Sequence, residues 1–202
     1  MNKKIKWQEN TKYWEKSLKN VPCFLLGNGP SISNQDLSIL KDYFTIGINR
    51  IFKKIDPTIL FWQDLSTWLE HKNEIKKTKA IKLCRKGAET ENYCYHFLLK
   101  RKNHVLTSSL KYLYGRGNTS ALAFQVAYAL GCNPIFLIGI DCKYAKNGDT
   151  NFPVISFSNS CSNDDVFLEK ISIKTAAKIA GKENKKNREF YIKKIFQKYK
   201  SD

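Results

Sequence analysis

Short apolar runs closed by glycine, proline or small polar residues recur along the chain. They are Val21-Pro-Cys-Phe-Leu-Leu26, Thr45-Ile-Gly-Ile48, Pro57-Thr-Ile-Leu-Phe-Trp62, Ala80-Ile-Lys-Leu-Cys84 and Pro134-Ile-Phe-Leu-Ile138. The first, a continuous apolar run bounded by turn residues, predicts a buried strand of a parallel sheet, and the others predict further strands. The last reads as a central strand. Tyr93, Tyr95 and Phe97 alternate with other residues, which predicts a strand with one buried face. With Lys100-Arg101-Lys102 just beyond, the same stretch also has the composition that stacks bases and holds phosphates.

Between the runs the period changes. Ser33-Asn-Gln-Asp36 offers capping oxygens for a helix running to about Lys41, and Asp64 offers one for a helix beginning near Leu65. Asn118, Thr119 or Ser120 caps a helix with the apolar stripe Leu122, Val126, Leu130, which Gly131 stops. Trp7 and Trp14, one heptad apart, predict a docked basic lead-in helix over 1–20. The stretch from Asp164 onward reads as helical and is divided at Gly181. The last helix, about 187–200, places Tyr191, Ile195 and Tyr199 on one face. The resulting expectation is one α/β domain with a Rossmann-like, mainly parallel sheet. It comprises a lead-in (1–20), a nucleotide-binding core (21–145), a polar lid or acceptor loop (146–163) and basic C-terminal helices (164–202).

Charge changes this picture. The net charge of +17 lies in the flanks: residues 1–20 carry +4, residues 71–104 carry +7 and residues 170–202 carry +8, while the remaining chain sums to −2. Such a field favours a polyanionic partner, whether nucleic acid, an acidic glycan or an anionic membrane surface. Lysine outnumbers arginine 30 to 5, however, which is also what a lysine-rich coding bias produces. No apolar run approaches the roughly 18 residues of a membrane span, and the N-terminus lacks a signal peptide's apolar core, so a cytoplasmic protein is expected. The six scattered cysteines form no Cys-x-x-Cys or Cys/His cluster. Buried free thiols are expected, and no metal site.

Candidate chemistry gathers where strands end. Gly27-Asn-Gly-Pro-Ser31 follows the first strand; Gly27 and Gly29 permit a sharp turn and close approach of a ligand, and strand, loop and helix start would form an anion cradle. A tight turn without a ligand has the same signature. Asn49-Arg50 closes the second strand where dinucleotide-binding folds carry an acidic residue, and Asn suits a base or ribose, or merely caps the turn. Gln63-Asp64 closes the third strand, with Asp64 a general base or simply an N-cap. Asn118, Thr119 and Ser120 bring free N–H groups and hydroxyls suited to phosphate, and Arg116 a charge for a departing phosphate. Gly139-Ile-Asp141 closes the last strand, and Asp141 is a candidate functional carboxylate or a loop cap. His71, among charged residues, is expected to be solvated.

Together Gly27-Asn-Gly-Pro-Ser31, Ile48-Asn-Arg50, Phe61-Trp-Gln-Asp64, Gly117-Asn-Thr-Ser120, Ala127-Tyr-Ala-Leu-Gly131 and Leu137-Ile-Gly-Ile-Asp141 resemble the sialyltransferases of glycosyltransferase family 42. They also resemble the related family of unknown function 115, which includes pterin diphosphokinase-like and phage proteins. The resemblance spans about residues 21–145. It implies a cytidine-nucleotide pocket formed by Asn28, Asn49, Thr119, Ser120, Gly139 and Asp141, with no required metal or other cofactor. The family's catalytic histidine follows the Gly-Ile-Asp segment, whereas His71, His96 and His104 all precede it. The base therefore falls to Asp64, Asp141 or Asp149. The expectation is a glycosyltransferase using a CMP- or UDP-linked sugar and a polyanionic acceptor, such as phage-type modified DNA or an acidic surface glycan. The alternatives are a metal-dependent diphosphokinase-type phosphotransferase and a non-catalytic nucleic-acid-binding protein on the same fold.

Overall fold

The structure is a computed structural model and describes residues 14–101, 106–115, 118–141 and 173–197. Seven strands form one sheet: β1 (Cys23–Leu26), β2 (Thr45–Ile48), β3 (Ile59–Trp62), β4 (Ile81–Arg85), β5 (Tyr95–Lys100), β6 (Tyr112–Tyr114) and β7 (Ile135–Ile138). Their order is β6-β5-β4-β3-β2-β1-β7, and every pairing is parallel. The chain thus steps outward from β1 to β6, then returns to place β7 on β1's other side. This is an α/β, Rossmann-like arrangement. β7 pairs with β1 alone among the described residues, so it is an edge strand and not the central strand its apolar run predicts.

Alternation along the strands divides the interior into two layers. Leu25, Ile46, Ile48, Phe61, Leu83 and Phe97 face α2 (Thr119–Ala129). Phe24, Leu26, Leu60, Trp62 and Cys84 face α1 (Leu65–Lys77) and α3 (Ile173–Ala180). Seven of α2's eleven residues are buried, Gln125 among them. The Gln125 side-chain amide accepts from Tyr114 N (3.0 Å) and donates to Tyr114 O (2.7 Å). It thereby satisfies the peptide groups of Tyr114, the last residue of β6, a strand whose three residues gave no sequence signal. Gly131 ends the α2 segment with φ +84°.

The flanks are only partly as expected. Trp14 is fully buried and packs edge-on against Tyr95 and Phe196, as a docked lead-in requires. Trp14 is in a 310 turn and residues 15–20 are turns and not α-helix, with positive φ at Lys16 and Asn20; residues 1–13, Trp7 among them, lie outside the described residues. In α4 (Arg188–Phe196) Tyr191 and Ile195 are buried, and the Tyr191 hydroxyl donates to Asn184 O. Burial raises the Tyr191 phenol to about 12. Cys23, Cys84, Cys94 and Cys132 are buried free thiols. A hydrogen bond between the Cys84 thiol and Cys94, with burial, pushes the Cys84 thiol well up; burial, with Cys132 beside it, does the same for Cys23. These thiols are unreactive. His71 is not solvated: its ring lies edge-on to Phe52, with Nδ1 3.0 Å from Glu74 Oε2. No described helix is long and apolar enough to cross a membrane.

Candidate functional site

All seven strands point the same way, so their carboxyl ends share one edge, where ligands bind in open α/β sheets. The loops that carry the sequence candidates meet there. The 310 helix Pro30–Asn34 follows β1, a second spans Leu37–Leu40, and the expected α-helix to Lys41 is absent. Pro30 sits in the first turn and contributes no N–H, and Asp36 starts a new turn by accepting from Ser38 N (3.0 Å).

The glycine loop leans on the end of β7. Gly27 N donates to Ile138 O and Gly29 N to Gly139 O, both at 2.8 Å. Ser31 N donates to Asp141 Oδ2 (2.8 Å), and the Ser31 hydroxyl donates to Asp141 Oδ1. A Cβ at Gly27 would lie 2.2 Å from Gly139 O, and one at Gly29 would lie 2.6 Å from Asp141 Oδ2. The glycines are therefore required by the protein's own backbone: two loops 110 residues apart interlock. Asn28 fastens the other side, with Nδ2 donating to Ile48 O at 2.7 Å. Of the loop's N–H groups, those of Gly27, Gly29 and Ser31 are engaged within the protein. The anion cradle read from sequence lacks both its helix and most of its donors.

Asp141 and Asp64, equivalent in sequence, differ in the fold. Asp141 holds the Ser31 turn. Asp64 occupies the N-cap position of α1, but its side chain makes no capping bond and is exposed. The next strand end, Asn49-Arg50, begins the 310 helix Asn49–Lys53. Asn49 has φ +49°, and its Oδ1 is buried with no hydrogen-bond partner among the described residues. Gln63, 3% exposed, donates from Nε2 to the Thr119 hydroxyl at 2.8 Å and ties the end of β3 to the start of α2. Sequence reasoning placed Gln63 in a motif without a role; its position directly after a buried strand was the available signal. Asn118 caps α2 through Oδ1, accepting from Ser120 N (2.9 Å) and Ala121 N (3.2 Å). Those two N–H groups are occupied by the cap, and the helix start also carries the Thr119 and Ser120 hydroxyls, the first of which accepts from Gln63. Arg116, Gly117, Asp149 and the 146–163 loop lie outside the described residues.

The structure therefore brings Gly27 to Ser31, Asn49, Arg50, Asn118 to Ser120, Gly139, Asp141 and Asp64 to one edge. A hollow of about 430 Å³ lined by Lys82, Asn92, Tyr93 and Tyr95 lies at the opposite edge, by the amino ends of β4 and β5. Among the described residues no group of three or more His, Cys, Asp or Glu side chains is placed to hold a metal ion.

No protein-family model matches the chain, and no curated protein matches it at a significant level. Among solved structures it is similar to the MAf glycosyltransferase from Magnetospirillum magneticum AMB-1, with 14% identity and a TM-score of 0.47. The alignment covers 73% of this chain and 29% of that one, so this chain spans less than a third of that protein's length.

Proposed function

We propose that this chain is a glycosyltransferase that takes a sugar from a CMP- or UDP-linked donor. The observation that carries the reading is the convergence at one sheet edge of motifs scattered from residue 27 to residue 141, around an acceptor atom with no described partner and a carboxylate with no described bond. Asn49 Oδ1 is suited to accept from a base amino group or a ribose hydroxyl. Asp64 is suited to take the acceptor's proton. In the transfer, the acceptor oxygen bonds to the anomeric carbon and its proton passes to Asp64. The bond from that carbon to the phosphate oxygen breaks, and its electron pair leaves with the nucleotide. Asp141 and Ser31 hold the loop that carries Asn28. The acceptor we propose is polyanionic, DNA or an acidic glycan, matched to the +17 charge.

A thermal-shift panel of CMP, UDP, GDP, ADP and ATP, with and without magnesium, tests the donor class. A nucleotide at about 100 times its dissociation constant adds about 2.7 kcal/mol of stability. Stabilisation by CMP or UDP without magnesium is expected. Stabilisation by ATP with magnesium alone would replace the reading with phosphotransfer. No response to any nucleotide would end it.

A further inference from the structure

In a chain with 30 lysines, the five arginines are informative. Arg188 pairs with Asp56, Nη1 to Oδ2 at 2.6 Å. Three others stand at or just beyond strand carboxyl ends: Arg50 two residues after β2, Arg85 as the last residue of β4, and Arg101 directly after β5. None of these three forms an ion pair with a described carboxylate. Arginine's planar fork matches phosphate oxygens, and lysine's ammonium does not reproduce that geometry.

Arg85 is the one placed inward. Trp62 and Cys84 are register partners, so the next residues, Gln63 and Arg85, lie side by side at a strand spacing of about 4.8 Å. Alternation puts Arg85 on the face of Leu83 and Phe97, the layer that packs on α2, and Gln63 is tied to the start of that helix. Arg85 Nε is buried with no hydrogen-bond partner among the described residues, while Arg50 and Arg101 are exposed. A half-buried guanidinium without a carboxylate or an acceptor is costly to fold. Such a group is retained where a ligand supplies the acceptor.

We infer that Arg85 binds the phosphate of the donor nucleotide and receives the negative charge that develops on it as the sugar departs. This rests on the donor-site reading above, and assigns to Arg85 the role that sequence spacing gave to Arg116. The ligand chemistry is a phosphate or diphosphate ester, held between Arg85, the end of β3 and the hydroxyls of Thr119 and Ser120.

The test is calorimetric titration of wild-type protein, Arg85→Gln, Arg85→Lys and Arg116→Gln with CMP, UDP, the nucleosides cytidine and uridine, and inorganic pyrophosphate. Wild type is expected to bind a nucleotide at least tenfold more tightly than its nucleoside. Arg85→Gln should lose at least tenfold in nucleotide and pyrophosphate affinity and keep its nucleoside affinity. Its melting temperature should hold or rise, because no described partner is lost. Arg85→Lys, which keeps the charge but not the fork, should lose several-fold; it carries the test if Arg85→Gln fails to fold. Nucleotide binding by Arg85→Gln equal to wild type overturns the assignment and leaves the donor site standing, as does a loss seen only in Arg116→Gln. Arg85-dependent pyrophosphate binding without nucleotide binding keeps the phosphate site and ends the donor reading. Binding of neither by wild type overturns both.

Discussion

Two aspartates at strand ends show how far residue identity alone reaches. Asp141 accepts two hydrogen bonds from Ser31, whereas Asp64 sits at a helix start and caps nothing. Replacing Asp141 by Ala should cost about 1–2 kcal/mol, since it frees the Ser31 turn. Ser31→Ala should cost less when Asp141 is already gone, with a coupling of at least about 0.5 kcal/mol in a double-mutant cycle read by urea unfolding. Additive losses would show that the pair does not act together. Asp64→Asn should leave stability within about 0.5 kcal/mol of wild type, because its side chain has no described partner, and should abolish sugar transfer while leaving nucleotide affinity intact. Full transfer by Asp64→Asn would remove it as the base. Sequence offered both carboxylates as base or cap. The distinction rests on a contact across 110 residues, which local pattern does not encode. The glycines were legible as necessary, but their reason was not: Gly27 meets Gly139 O, a backbone atom from the far end of the core.

At the scale of elements, buried strands were the most legible feature. β1, β2 and β3 are buried at every position, as their short apolar runs record, whereas β4, with Lys82 and Arg85, and the edge strand β7 are buried only in part. The expected helix after β1 was not borne out, because Ser31 N–H turns to Asp141 and Asp36 restarts the turn at Ser38. Serine and asparagine compete for backbone groups and favour such local turns over helix. β6 escaped notice for a related reason. Its last residue is satisfied by a side chain, and Gln125 reads in sequence as an intrusion on an apolar helix. Gln125→Leu keeps the size and the apolar character of α2 while leaving Tyr114 N–H and C=O without that partner. It should cost about 2 kcal/mol and speed hydrogen exchange at Tyr114, with little change at the β1–β2 pairing. Equal acceleration across the sheet would mean that Gln125 supports the whole fold and not the β6 edge.

For the whole molecule, the question is how one strongly basic chain separates a small anion from a large one. Part of the lysine charge is already paired: Lys72 and Lys76 lie against Glu91, and Lys53 lies 3.8 Å from Glu74. Other lysines on α3, α4 and the connection between them, including Lys174, Lys182 and Lys193, form no ion pair with a described carboxylate. A polyanion neutralising many exposed lysines releases as many counterions, so its affinity falls steeply with salt. With about 6–10 phosphates contacted, duplex DNA binding should drop by about 10³–10⁵ between 50 and 200 mM salt. A nucleotide held by one half-buried arginine, Asn49 and two hydroxyls releases few counterions and is less screened. Its affinity should change by less than about tenfold over the same range. Titrating both ligands against salt separates the two surfaces without a mutation. A shallow slope for DNA would mean that the flanking lysines do not form the acceptor surface. A steep slope for the nucleotide would place it on those lysines and away from the carboxyl edge of the sheet.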